Sequence, residues 1–193
     1  MAHARRQKNG SMLLSAVLVT VCTLLCAVGM RAYYRAIFPQ KYSAFVTHYA
    51  EEYEVDATFL YAVIKTESDF HPQAVSQDDA CGLMQLLPST LEWLQRLTPE
   101  RDEYVREDLF DPQINIRYGA YFIDMLFERF KEPEVVAAAY HAGINGVAKW
   151  LEDPRYSEDG VHLTQIPYAD TALYVERVMQ HYQIYRQLYN GNV

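Results

Sequence analysis

The run Phe59-Leu60-Tyr61-Ala62-Val63-Ile64-Lys65-Thr66-Glu67-Ser68 decides how this chain is read. Phe59, Leu60, Val63 and Ile64 recur at helical spacing, an apolar face that other elements must cover. Asp56 stands in front of it as an N-cap, and His71-Pro72 is expected to break the helix. Glu67 follows Leu60 by seven residues and Ile64 by three, so it continues the inward stripe. Desolvation disfavours an ionised carboxylate there. The cost is tolerable if the acid stays protonated and serves as a proton donor.

Further helices extend on both sides. Tyr42 to Tyr53 is amphipathic. Ser76 to Cys81 is polar and loop-like, and a helix is expected from about Ser89 to Leu97. Thr98 to Leu109 is charged and reads as a surface excursion. Asp111-Pro112 opens a helix to about Phe130, with the acid as cap and proline in the first turn. Pro133 starts the next, for which Gly143 is a natural C-cap. Val147 to Leu151 is short, Asp153 to Pro167 is loop, and the last helix runs from about Ala169 to Tyr189. Strand signals are almost absent, so any sheet is small.

The N-terminal end differs in kind. Met12 to Met30 is mostly apolar and carries no charge over 19 residues, near the lower end of what spans a bilayer. Arg5, Arg6 and Lys8 precede it, which favours a cytoplasmic N-terminus. The expected organisation is a basic segment at 1–11, a signal anchor at 12–30, a connector at 31–41 ended by Pro39, and one domain at 42–193. A cleaved signal peptide is the competing reading, with Ala27-Val28-Gly29 as cleavage site. Both readings export the body and place it on the extracytoplasmic side, and the anchor reading ties it to the cell membrane by a single pass. Cys22 and Cys26 lie in the apolar run, but Thr23-Leu24-Leu25 lacks the small residue that precedes a lipidated cysteine.

Charge narrows the partners. The net charge of −8 includes no Asp or Glu before Glu51. From Ala36 onward, 12 basic side chains face 25 acidic ones, a balance of −13, which argues against nucleic acid. Cys81 is alone in the body and has no internal disulfide partner. The six histidines show no ligand spacing, so no metal or cofactor is expected.

Several ordered blocks carry a resemblance. They are Glu67-Ser68, Ser76, Gly82-Leu83-Met84-Gln85 with Pro88 and Thr90, Asn115-Ile116 with Gly119, Ala139-Tyr140 with Ala142-Gly143, and Tyr174-Val175 with Val178. From about Tyr42 to Tyr189 the chain resembles the catalytic domain of the bacterial soluble lytic transglycosylases, relatives of goose-type lysozyme. The resemblance implies a mainly α fold (α+β, lysozyme-like): a single helical domain with a cleft. It implies peptidoglycan glycan strands as substrate, cut at the β-1,4 bond between N-acetylmuramic acid and N-acetylglucosamine. The product would carry a 1,6-anhydro ring.

The resemblance makes Glu67 the single acid and base. The family motifs offer no second carboxylate of the kind ordinary glycosidases use. The 2-acetamido oxygen and the muramic 6-hydroxyl of the substrate would fill that gap. Substrate contacts are expected from Ser76, Met84, Gln85, Tyr140, His141, Tyr174 and Ser68. For Ser68 the competing role is a local hydrogen bond at the helix end, for Ser76 a turn, and for Met84 core filler. Gln85 offers a donor and an acceptor to an acetamide or hydroxyl. Tyr140 stands out in the small apolar stretch Val135 to Ala139. The sequence departs from its relatives at His141, where most carry asparagine, at Asp79 (often glycine) and at Asp170 (often glutamate). Three other readings stand beside transglycosylation: a hydrolytic muramidase on the same fold, a non-catalytic wall-binding scaffold, and an adaptor in a secretion or sporulation apparatus with the anchor as its main functional element.

Overall fold

The computed structural model describes residues 2–98 and 103–190, with side chains from Val17 to Tyr189 outside that gap. It divides into two compact units, Met1–Pro39 and Gln40–Val193. The side chains of Arg5, Arg6 and Lys8, and residues 99–102 of the expected excursion, lie outside the described residues.

The first unit is one helix, α1 (Ala2–Ile37). Its stretch Val17–Ile37 is 21 residues of mean hydropathy 1.7, long and apolar enough to cross a membrane. The connector expected at 31–41 is therefore helical as far as Ile37. Nothing in Arg31-Ala32-Tyr33-Tyr34-Arg35 breaks a helix. Long basic side chains and tyrosines also suit the end of a span, where charged tips reach the interface.

The second unit is helical and, among the described residues, has no sheet. The only pairings are isolated bridges from Cys81 to Val75 and to Leu86. Its helices are α2 (Ser43–Glu52), α3 (Ala57–Ser68), α4 (Pro88–Gln95), α5 (Pro112–Phe130), α6 (Pro133–Ala142), α7 (Ile144–Glu152) and α8 (Ala169–Tyr185). A 3-10 turn at Arg106–Phe110 precedes α5, and a π turn at Arg186–Asn190 follows α8. The last helix is thus four residues shorter than the sequence suggests, and the charged excursion contains a turn of helix.

The caps form as their chemistry dictates. Asp56 accepts from the Thr58 amide at 2.8 Å, and Asp111 accepts from the Gln113 and Ile114 amides at 2.7 and 3.2 Å. Proline occupies the first turn of α4, α5 and α6. α3 ends earlier than Pro72 requires, because Asp69 and Phe70 turn left-handed at φ 50° and 64°.

Every residue of α3 from Thr58 to Ile64 is buried. The helix packs chiefly against α8 and also against α2, while α6 packs on α8 and α5. Each large apolar side chain in this layer contributes about 1.5–3 kcal/mol by leaving water. α3 is therefore a central post, and its half-buried last turn continues directly from that buried run.

Candidate active site

Glu67 occupies that last turn. Its carboxyl looks into a cavity of about 270 Å³ whose wall also includes Ser76, Gln85, Tyr140 and His141. The residue is partly exposed through the cavity mouth. Burial nevertheless pushes its pKa up to about 7, against the Tyr174 hydrogen bond, which pulls it down. Tyr174 Oη donates to Glu67 Oε1 at 2.7 Å. The phenol is only 8% exposed, so α8 holds it against the acid from behind. An acid with a pKa near neutrality exists in both forms at working pH, which suits successive donation and acceptance of a proton.

The segment Gly82-Leu83-Met84-Gln85 is built as a brace. Gly82 has φ +78°, and a Cβ there would stand 2.2 Å from the Leu109 carbonyl oxygen and 2.3 Å from Asn115 Nδ2. Asn115 is 0% exposed. Its Nδ2 donates to the Cys81 and Leu109 carbonyls at 2.9 and 2.8 Å, and its Oδ1 accepts from the Met84 amide at 2.7 Å. Gln85 sits left-handed at φ 49°, and its Nε2 donates to the Ala74 and Gly82 carbonyls at 3.1 and 2.9 Å. Tyr140 Oη donates to the Met84 carbonyl at 2.7 Å. The Tyr140 ring thus faces the cavity while its hydroxyl is committed to the backbone.

Three of the expected contact residues have other places. Met84 is 0% exposed and wedged against Gly119, where a Cβ would come within 2.2 Å of its sulfur. It fills the core, and its amide and carbonyl are both engaged. Ser68 Oγ donates to the Leu83 carbonyl at 2.7 Å and to Ile64 O at 3.3 Å, tying the end of α3 to the brace. A serine one residue past the acid points to another helix face, and neither Ser68 nor Met84 lines the cavity. Tyr174 also lies outside the wall and touches the acid instead.

Ser76 does line the cavity, and its Oγ accepts from the Asp78 and Ala80 amides at 3.2 and 3.1 Å. Its hydroxyl hydrogen is uncommitted among the described residues. His141 is exposed at the cavity rim. Its ring stacks on Tyr174 at 4.5 Å between centroids, and Nδ1 lies 3.2 Å from Thr171 Oγ1. The same wall includes Asp78 and Phe122, which the sequence reading passed over, and Thr90, which it placed in a family block without a contact role. Asp78 is the notable one, because a second carboxylate borders the cavity after all. Its place in the polar hairpin next to Ser76 was the available signal. Among the described residues no group of His, Cys, Asp and Glu is arranged to hold a metal ion.

The transglycosylase SLT domain family model matches residues 45–162. Relatives include the soluble lytic murein transglycosylase of Escherichia coli K12, 28% identical over 151 residues, which are 77% of this chain and 23% of that protein. The membrane-bound lytic murein transglycosylase C of Actinobacillus succinogenes is 27% identical over 176 residues, covering 86% of this chain and 45% of that one. Among solved structures, an inactive Glu-to-Gln mutant of the lytic transglycosylase Slt from Pseudomonas aeruginosa superposes with a TM-score of 0.66. It is 29% identical and matches over 79% of this chain and 25% of its own. The chain thus spans about a quarter of the length of these soluble relatives and under half of the membrane-bound one.

Proposed function

The chain belongs to the transglycosylase SLT domain family, and we propose that its body cleaves peptidoglycan glycan strands with Glu67 as sole acid and base. The observation that carries this is the buried Glu67 carboxyl in a cavity wall, pushed up to about 7 and hydrogen-bonded by Tyr174. The Pseudomonas relative has an inactive form that carries a Glu-to-Gln change, in keeping with a reaction that depends on a glutamate.

The protonated carboxyl of Glu67 donates its proton to the glycosidic oxygen between N-acetylmuramic acid and N-acetylglucosamine. The bond from muramic C1 to that oxygen breaks, and N-acetylglucosamine leaves with a free 4-hydroxyl. The muramic 2-acetamido oxygen stabilises the positive charge at C1. The muramic 6-hydroxyl then attacks C1, and its proton passes to the Glu67 carboxylate. The anhydro ring closes, the acid is regenerated, and no water is consumed. An intramolecular nucleophile avoids the entropy of capturing a second molecule. Ser76, Gln85 and His141 contact the sugar hydroxyls and acetamides from the wall, and the Tyr140 ring packs on a sugar face.

The apolar helix α1 serves as the anchor, with the body on the extracytoplasmic side. Its length and hydropathy support this, as does the resemblance to a membrane-bound relative. A second reading is favoured by Asp78: with two carboxylates at one cavity, the body hydrolyses the same bond.

One set of digests separates these readings. The full-length chain in detergent is incubated with sacculi, and the products are weighed by mass spectrometry. Transglycosylation gives anhydro-muropeptides, lighter by one water than hydrolytic products. Glu67→Gln is expected to lower their release by about 10²–10⁴-fold or more, and Asp78→Asn to leave the anhydro product in place. Hydrated products that vanish with Asp78→Asn would establish the hydrolytic reading. Release at the wild-type rate by Glu67→Gln would overturn both.

A further inference from the structure

One wall of the cavity is a thin exposed hairpin. Residues 76–80 form a tight turn in which the Asp79 amide donates to Ser76 O at 3.2 Å and the Ser76 amide to Ala80 O at 3.0 Å. The base is secured, since the Gly82 amide and Gln85 Nε2 both donate to Ala74 O. Toward the tip, residues 75–79 are all exposed, so little apolar packing holds it. Yet this tip brings Ser76 and Asp78 to the cavity beside Glu67.

One side chain from another element reaches it. Arg106, the first residue of the 3-10 turn, donates from Nε to both Asp79 oxygens at 2.9 and 3.0 Å and from Nη2 to Oδ1. Cys81 Sγ, at the foot of the hairpin, also donates to Asp79 O at 3.3 Å, but among the described residues the Arg106 fork is the tip's one hydrogen-bonded tie to another element. The fork geometry fixes direction as well as distance, which a single contact cannot do. Asp79 is also left-handed at φ 65°, a conformation that aspartate tolerates in tight turns. The turn's own hydrogen bonds set that backbone, and the Arg106 fork fixes where its side chain is held.

We propose that Arg106 is a positioning residue for the cleavage reaction: through Asp79 it clamps the hairpin so that Ser76 and Asp78 stand ready to receive the glycan. The inference rests on the functional reading above. Arg106 touches no substrate itself and lies outside the cavity wall. An exposed ion pair adds little to global stability, so the clamp acts on the order of the wall and leaves the fold as it is.

The test is a double-mutant cycle on the full-length chain, with glycan release assayed at several concentrations of a soluble peptidoglycan strand. Arg106→Ala is expected to raise KM about five- to tenfold with kcat changed less than twofold. The alkaline limb of the pH profile, set by Glu67, should not move, and Tm should stay within a few degrees of wild type. Arg106→Lys, which keeps the charge and loses the fork, should fall between. Asp79→Asn should match Arg106→Ala, and the double variant should be no worse than either single one. Additive losses, or an unchanged KM in Arg106→Ala, would overturn the clamp. A fall in Tm together with kcat would reduce it to a structural contact and overturn it equally. Absence of cleavage by the wild-type chain would instead count against the functional reading, which separates the two failures.

Discussion

At the residue scale, the proposed chemistry turns on the proton of Glu67. Burial raises its pKa to about 7, and Tyr174 opposes that rise by donating to the ionised form. Donation needs the protonated carboxyl, so the rate should fall as pH rises through about 7. Removing the phenol in Tyr174→Phe withdraws support from the carboxylate, so its pKa rises and the alkaline limb moves to higher pH. A pH profile of kcat for the two proteins checks this, and a limb that stays or moves down would contradict it. The same shift has a thermodynamic sign. The folded state holds the proton more tightly than the unfolded chain, so the site favours folding least above pH 7 and opposes it increasingly from about pH 4.5 to 7. Glu67→Gln removes a charge that the fold must bury. It should stabilise the protein at pH 8 by on the order of 2–3 kcal/mol, and the gain should vanish near pH 4. Paired thermal melts at the two pH values measure it.

At the scale of elements, the brace between α3, α5 and α6 is what turns a helix end into a site. Gly82→Ala would press a methyl group onto the Leu109 carbonyl and Asn115 at a left-handed backbone. It should cost about 2–4 kcal/mol. Gly146→Ala on α7, where nothing lies within 4 Å of the new carbon, should be neutral or stabilising by up to about 1 kcal/mol. Denaturant melts of the two variants test the contrast. Periodicity and caps made this level largely legible: the α3 stripe, Asp56, Asp111, the three prolines and Gly143 all act as their chemistry predicts. Glu67 was legible for the same reason, as a carboxylate where the stripe should continue. What stayed hidden depends on contacts between distant segments. Nothing local tells that Ser68 turns to the Leu83 carbonyl, that Met84 wedges on Gly119, or that Asp78 comes to the cavity. The end of α1 at Ile37 stayed hidden because the composition changes at Arg31 while the helix continues.

At the scale of the whole molecule, the catalytic unit is closed by its last long helix. The family match ends at residue 162, yet α8 begins at Ala169 and covers the face of α3. A chain ending at Tyr168 would keep the family blocks from Glu67 to Gly143 but lose the Tyr174 block and the cover that α8 gives α3. It should show no cooperative thermal transition by circular dichroism and release no muropeptides. A sharp transition with retained cleavage would refute that dependence. The bond from Tyr174 to Glu67 spans 107 residues of sequence, and synthesis runs from the N-terminus. The acid is therefore made long before the phenol that completes its surroundings. Without the cover of α8, Glu67 is expected to return toward the ordinary carboxylate range, ionised at neutral pH and with no proton to give. For a chain proposed to cut the cell's own wall, the order of its residues thus works as a safety catch during synthesis.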